Sequence, residues 1–361
     1  MYNLIRPFLF KQDPEEIHKK ALKIGKYLGN SKAKDLISQL YSFDDKKLHS
    51  SLCGIDFINP VGLAAGFDKE GELLDIISCI GFGFIEIGSI SAMPKGTAPS
   101  PSILRIPAEE AIINKLGLNN EGAVAVYEKM KDKTFKIPLG INIVKTNYNN
   151  IYGDKAIEDL CNSFEKLYSL CSYITLNISC PNTEGEKSYE NKRNLEELLP
   201  ALMVIKNKFQ YQKPVLMKMS PDLFYSAFED ILQVSEDNGI NGYVIINTSS
   251  DSNYLKNTRP NLIAKGKFGI SGKPIKQRST ELIAHAYKHL NNPSIIGVGG
   301  IFSGEDAYEK IKAGASVVQI CTGLVYEGPG LPKKINKGLL RLLERDGFAS
   351  VKDAIGIDAY K

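Results

Sequence analysis

Carboxamides, lysines and one cysteine, rather than histidines, stand where this sequence is best equipped for chemistry. Cys180 lies in a Ser-Cys-Pro-Asn-Thr turn that the following proline stiffens. A free thiol is usually a small buried hydrophobe, a reading that suits Cys53, Cys79 and Cys161. Cys180 differs because it closes an apolar run inside a polar loop. With a reference pKa of about 8.5, a thiol there becomes a usable base near neutrality once its surroundings favour thiolate. Asn142, Asn177, Asn182 and Asn247 also close or follow apolar runs. A carboxamide offers both donor and acceptor, so several together match a ligand with amide or imide edges. A lone asparagine is as often a turn residue; four in equivalent places form a pattern. Lys69 and Lys218 end such runs too, where a lysine balances an anion or forms a Schiff base. Gly299-Gly300 and Thr322-Gly323 let backbone N–H groups approach an anion, as phosphate loops do.

Absences narrow the chemistry. None of His18, His49, His285 and His289 falls at a run end, which excludes a histidine triad or a histidine-held metal there. His285 and His289 share a helix face at i,i+4 spacing, but without an H-E-x-x-H pattern they read as a packed or solvated face, and no metal is expected. The six cysteines contain no C-x-x-C pair and read as reduced thiols. The base candidates are therefore Cys180, the lysines and Asp68.

Such residues need a frame that gathers many loops at one place. Eight short, nearly continuous apolar runs occupy 59–64, 84–88, 138–143, 173–178, 214–219, 242–246, 294–298 and 317–320. Each has the texture of a strand buried on both faces. Helical patterns such as 195–209, 226–238 and 277–290 separate them. Strict alternation of this kind predicts an α/β fold, the (β/α)8 TIM barrel, whose chemistry sits where strands end and βα-loops begin. An open doubly wound sheet is disfavoured, because no G-x-G-x-x-G follows the first run and no P-loop occurs. Residues 52–57 predict a hairpin closing the barrel's bottom.

Before the barrel, Asp13-Pro14-Glu15-Glu16 reads as a helix N-terminus, with an apolar stripe of Ile17, Ala21, Ile24 and Leu28 ending near Gly29-Asn30. A second short helix is predicted over 31–41, with Leu36, Ile37 and Leu40 apolar. The chain thus divides into an N-terminal helical segment, 1–44, and a catalytic barrel, 45–361. Over 361 residues, 43% hydrophobic and 24% charged, the composition is that of a globular protein. The net charge of +4 resides in residues 1–49, with ten basic against six acidic side chains, while the barrel is balanced. That distribution argues against a nucleic-acid partner. No apolar run approaches a membrane span, and the N-terminus lacks a cleavage site, so the expected place is the cytoplasm or a membrane surface.

Nine strings resemble, in order, the dihydroorotate dehydrogenase family: NPVGLAAGFDKEGE (59–72), FIEIGSI (84–90), LRIPAEEAIINKLGLNNEG (104–122), LNISCPNT (176–183), LMKMSPD (216–222), VIINTSS (244–250), GISGKPI (269–275), IIGVGGIFSGEDA (295–307) and VVQICTGLVYEGP (317–329). The resemblance implies FMN-dependent oxidation of (S)-dihydroorotate to orotate in pyrimidine biosynthesis. It places FMN at Ala65, Gly66, Lys69, Ser89, Asn142, Asn177, Lys218, Gly272, Gly299, Gly300, Cys321, Thr322 and Gly323. It places the substrate at Lys69, Asn114, Lys115, Leu116, Gly117, Leu118, Asn177, Asn182, Asn247 and Thr248. Cys180 would then remove a proton from substrate carbon five while a hydride leaves carbon six for the flavin. Charged residues 184–193 would form a lid over the substrate.

The basic helices and the NKLGLNN loop look like the class 2, quinone-reducing branch, whose N-terminal helices form a quinone access channel. Arg105 occupies a position associated with its quinone end. The resemblance implies a membrane quinone as acceptor, residues 1–44 on an anionic membrane surface, and a peripheral place on the cytoplasmic side of the cell membrane. A monomer is compatible with this reading. One residue departs from the pattern: that branch normally has serine at position 180, whereas cysteine is typical of soluble class 1 enzymes. The open alternatives are a soluble-type enzyme using fumarate or NAD, and a Schiff-base aldolase using Lys69 or Lys218.

Overall fold

Eight parallel strands close into a barrel: β1 (Val61–Leu63), β2 (Phe84–Ile90), β3 (Leu139–Ile143), β4 (Tyr173–Asn177), β5 (Val215–Met219), β6 (Gly242–Ile245), β7 (Ile295–Val298) and β8 (Val317–Ile320). The computed structural model describes residues 2–97, 100–179, 189–256 and 267–361. Each strand pairs with the next in sequence, and Val318 of β8 lies opposite Val61 of β1, so the sheet has no free edge. All eight apolar runs form these strands. They are buried inside and out, which is why they read as continuous rather than alternating.

Inward-facing residues fall in layers because side chains alternate with a period of two. The lowest layer contains Phe84, Tyr173, Leu216, Val244, Ile296 and Val317. The predicted hairpin, Ser50–Leu52 with Ile55–Phe57, plugs this end by adding Leu52 and Phe57. Glycine makes room for the rings: a Cβ at Gly62 or Gly140 would sit 2.4 or 2.2 Å from the Phe84 or Tyr173 ring.

A three-stranded antiparallel sheet, Ile103–Ile106, Ala111–Asn114 and Gly269–Gly272, covers part of the upper rim. Ile106, Ala111, Ile113, Leu255, Phe268 and Ile270 form its own small core. Sequence reasoning did not anticipate it.

Three helices precede the barrel rather than two: α1 (Tyr2–Phe10), α2 (Pro14–Gly29) and α3 (Ala33–Tyr41). Asp13 caps α2 as expected, accepting from the Glu15 and Glu16 amides at 2.9 and 3.0 Å. The expected stripe on α2 needs correction. Leu22 and Leu28, with Ile37 of α3, pack against Leu73, Ile76 and Cys79, whereas Ile24 is 59% exposed. The barrel offers this helix only a narrow apolar strip, so part of its nonpolar surface is left outside. α1 is tied to the barrel by Tyr2, whose hydroxyl donates to the Val325 carbonyl at 2.7 Å, and by Arg6, which donates to the Tyr326 carbonyl at 2.9 Å. No described helix is long and apolar enough to cross a membrane.

Candidate active site

The upper barrel interior is polar, and its polar groups are joined. Glu86 on β2 is fully buried and accepts from Asn142 Nδ2 at 2.9 Å, Gln319 Nε2 at 3.0 Å, and the Tyr173 and Thr175 hydroxyls at 3.2 Å. Burial, and then the neighbouring Glu86 carboxylate, hold the Tyr173 hydroxyl well above its usual pKa. From Asn142 the bonds climb to the rim. Its Oδ1 accepts from Ser89 Oγ, which in turn accepts from Asn177 Nδ2 at 2.9 Å. Asn177 Oδ1 then accepts from Asn247 Nδ2 at 3.2 Å and from the Ser179 amide at 3.3 Å. Asn247 Nδ2 also reaches the Ser179 carbonyl at 3.1 Å. One connected chain thus runs from Glu86 to the residue preceding Cys180.

Three of the four asparagines singled out in the sequence therefore converge from β3, β4 and the end of β6. Cys180, Asn182 and lid residues 184–188 lie outside the described residues. Beside Asn177, in register on β5, Lys218 is only 4% exposed, and among the described residues its ammonium has no hydrogen-bond or ion-pair partner. An ammonium buried without a partner is costly, so this position is built for a polar or anionic ligand. Across from it, burial pushes the Cys321 thiol up to about 11, which removes Cys321 as a rival base. Asp68 is also removed: its carboxylate accepts from the Glu72 and Leu73 amides at 2.9 and 2.8 Å and so ties its own loop.

Lys69 follows β1 and donates to the Asn119 carbonyl at 3.1 Å and to that residue's side-chain oxygen. It thereby ties down the chain where the 115–118 loop ends. Asn120 Nδ2 fastens the same loop at the Leu118 carbonyl, 2.8 Å, and Asn147 Nδ2 at the Gly117 carbonyl, 3.1 Å. The Lys115 amide donates to the Ser102 carbonyl at 2.7 Å, with Leu116 next along the loop. Asn114 Nδ2 donates to the Gly269 carbonyl at 3.1 Å, and the Thr248 amide to Asn247 Oδ1 at 2.9 Å.

Around the mouth, the Gly66 amide, next to Ala65, donates to the Gly88 carbonyl at 2.8 Å. Gly272 ends the upper sheet, and Gly299-Gly300 follow β7. Thr322 and Gly323 open the helix Thr322–Glu327, and Thr322 Oγ1 donates to Ser271 Oγ at 2.8 Å.

Residues missed in the sequence are Glu86, Asn119 and His18. The strand ends do lack histidine, yet α2 brings His18 edge-on to Phe67, with ring centroids 5.0 Å apart. Burial, and then the charge of Lys69, lower its pKa. Nearby, Arg105 donates to the Leu9 and Gln12 carbonyls and lies over the Phe10 ring at 4.7 Å.

Fold and rim together define a (β/α)8-barrel enzyme with a mouth suited to a flat ligand with amide edges. The dihydroorotate dehydrogenase family model matches residues 47–343. A dihydroorotate dehydrogenase (quinone) from Natronomonas pharaonis is 38% identical over 99% of both chains, and one from Gloeobacter violaceus is 37% identical over 99% of this chain and 98% of its own. Among solved structures, Eimeria tenella DHODH in complex with ferulenol superposes with a TM-score of 0.86 at 29% identity, covering 97% of this chain and 96% of that one. The chain belongs to the dihydroorotate dehydrogenase family. Membership brings a flavin cofactor, and Lys218, without a partner among the described residues and set amid carboxamides and glycine turns, fits one.

Proposed function

We propose that this protein oxidises dihydroorotate to orotate with FMN and passes the electrons to a membrane quinone. The observation carrying the reading is the hydrogen-bonded chain from Glu86 through Asn142, Ser89, Asn177 and Asn247 to Ser179. It holds three carboxamides, with their polar edges fixed, against Ser179, the residue that precedes Cys180 in the chain, which suits a cyclic ureide substrate.

Bound FMN supplies a two-electron acceptor. Ala65, Gly66, Ser89, Asn142 and Asn177 would hold its ring system, with Lys218 answering the polar edge. Gly272, Gly299, Gly300, Cys321, Thr322 and Gly323 would offer backbone N–H groups to its phosphate. Asn114, Asn177, Asn182, Asn247 and Thr248 would pair with the substrate's ureide edges, Lys69 would meet its carboxylate, and residues 115–118 would wall it in. Cys180 then takes the proton from carbon five as thiolate.

For the acceptor, support comes from the quinone-type relatives and from residues 1–44. There Leu4, Phe8, Ile24, Leu36 and Leu40 are exposed, and α2 carries Lys19, Lys20, Lys23 and Lys26. An exposed apolar face with a basic border suits an anionic membrane surface, here the cytoplasmic side of the cell membrane. The deciding assay is dihydroorotate oxidation with quinone, fumarate or NAD offered separately. Turnover with quinone is expected; turnover with fumarate but not quinone overturns the acceptor, and a colourless, flavin-free protein overturns the reading.

A further inference from the structure

His285 and His289 do share a helix face, but they are not simply packed or solvated. The neighbouring helix Tyr225–Asp237 brings Glu229 to them. Glu229 Oε1 lies 2.8 Å from His285 Nε2 and 4.0 Å from His289 Nδ1, and one donor atom from each residue falls within a 4.8 Å span. The two imidazoles are nearly parallel, at 17° with centroids 6.2 Å apart. Tyr225 lies tilted against His285 at 4.5 Å and Phe228 meets it edge-on at 6.0 Å, so that ring's orientation is held by packing. Among the described residues, Glu229 has no lysine or arginine partner; its ion-pairing contacts are the two imidazoles.

We propose that Glu229, His285 and His289 bind a divalent transition-metal ion on the outer wall of the barrel, between the helices Tyr225–Asp237 and Lys276–His289. Two imidazole nitrogens and a carboxylate oxygen form a donor set that suits Zn2+, Co2+ or Ni2+ better than Ca2+ or Mg2+, which prefer oxygen throughout. With metal–ligand bonds of about 2.0–2.1 Å, a tetrahedral ion needs its donors roughly 3.3 Å apart, within reach of small rotamer adjustments here. The side chains are 27%, 36% and 39% exposed for His285, His289 and Glu229, which gives the ion a path from solvent and leaves water the fourth position. Because the donors come from two helices, the ion clips Tyr225–Asp237 to Lys276–His289.

The test uses metal-stripped full-length protein without an affinity tag, titrated with Zn2+ by calorimetry and with Co2+ by visible absorption. One ion per chain is expected, with tetrahedral cobalt bands and a higher Tm on Zn2+ addition. Glu229→Gln and His289→Ala should each weaken binding at least tenfold and erase the cobalt bands while retaining the bound flavin of the wild type. Absence of saturable binding to the folded wild type, or equal binding by the Glu229→Gln/His289→Ala double variant, overturns the site.

Discussion

The two ends of the barrel are built from the same strands but closed by different forces. At the lower end Phe84, Tyr173, Leu216 and Val317 meet as an apolar plug; two residues further along their strands, Glu86, Thr175, Lys218 and Gln319 replace them. Apolar contact is non-directional and tolerates small shifts, so the lower end contributes stability. A buried polar layer is costly unless its groups find partners in the protein or in a bound ligand, so the upper end contributes geometry. One alternating pattern therefore separates holding the fold from doing the chemistry along a single axis.

That separation can be broken experimentally. The largest effect is expected at the top: Cys180→Ala should slow flavin reduction by dihydroorotate by about 10²–10⁴-fold while flavin stays bound. Stopped-flow absorbance checks it, and reduction at the wild-type rate would remove Cys180 as base. At the bottom, Phe84→Ala should cost about 3–5 kcal/mol in denaturant unfolding. Its rate per bound flavin should stay unchanged; a matching loss of rate would show that the two ends are not separable. Glu86→Gln weakens the acceptor on which four donors converge, and a tenfold slower flavin reduction, about 1.4 kcal/mol, is expected. The fold should survive, since Gln319 Oε1 has no partner and can turn to meet the new amide. The smallest effect concerns a third region. Deleting residues 1–44 should impair quinone-coupled turnover severalfold more than flavin reduction, and equal losses would make the segment a packing cap only.

Much of the frame was legible because strands buried on both faces leave an unmistakable run of apolar residues. Asn142, Asn177, Asn247 and Lys218 were legible because they end such runs. The upper sheet was not, since Asn114 pairs with Gly269, far along the chain, and no local period announces such a partner. Glu86 left a signal that went unused: an acidic residue inside an all-buried run must have partners waiting. His18 was hidden by the choice of helix face. Ile17, Ala21, Ile24 and Leu28 are the most apolar set on α2, but the face that docks is set by what the barrel presents.

Glu86 has a consequence beyond its own bonds. A row of carboxamides and hydroxyls is twofold degenerate: reverse every amide and the bonds are just as well satisfied. A carboxylate can accept but not donate, so placing one at the foot of the row lifts that degeneracy. The sense of every donor and acceptor from Asn142 to Asn247 is then fixed from both ends, by a side chain sealed in the barrel's interior and by the Ser179 and Thr248 backbone at the rim. Which edge of a ligand the mouth can read is thus written in part by a residue with no exposed surface.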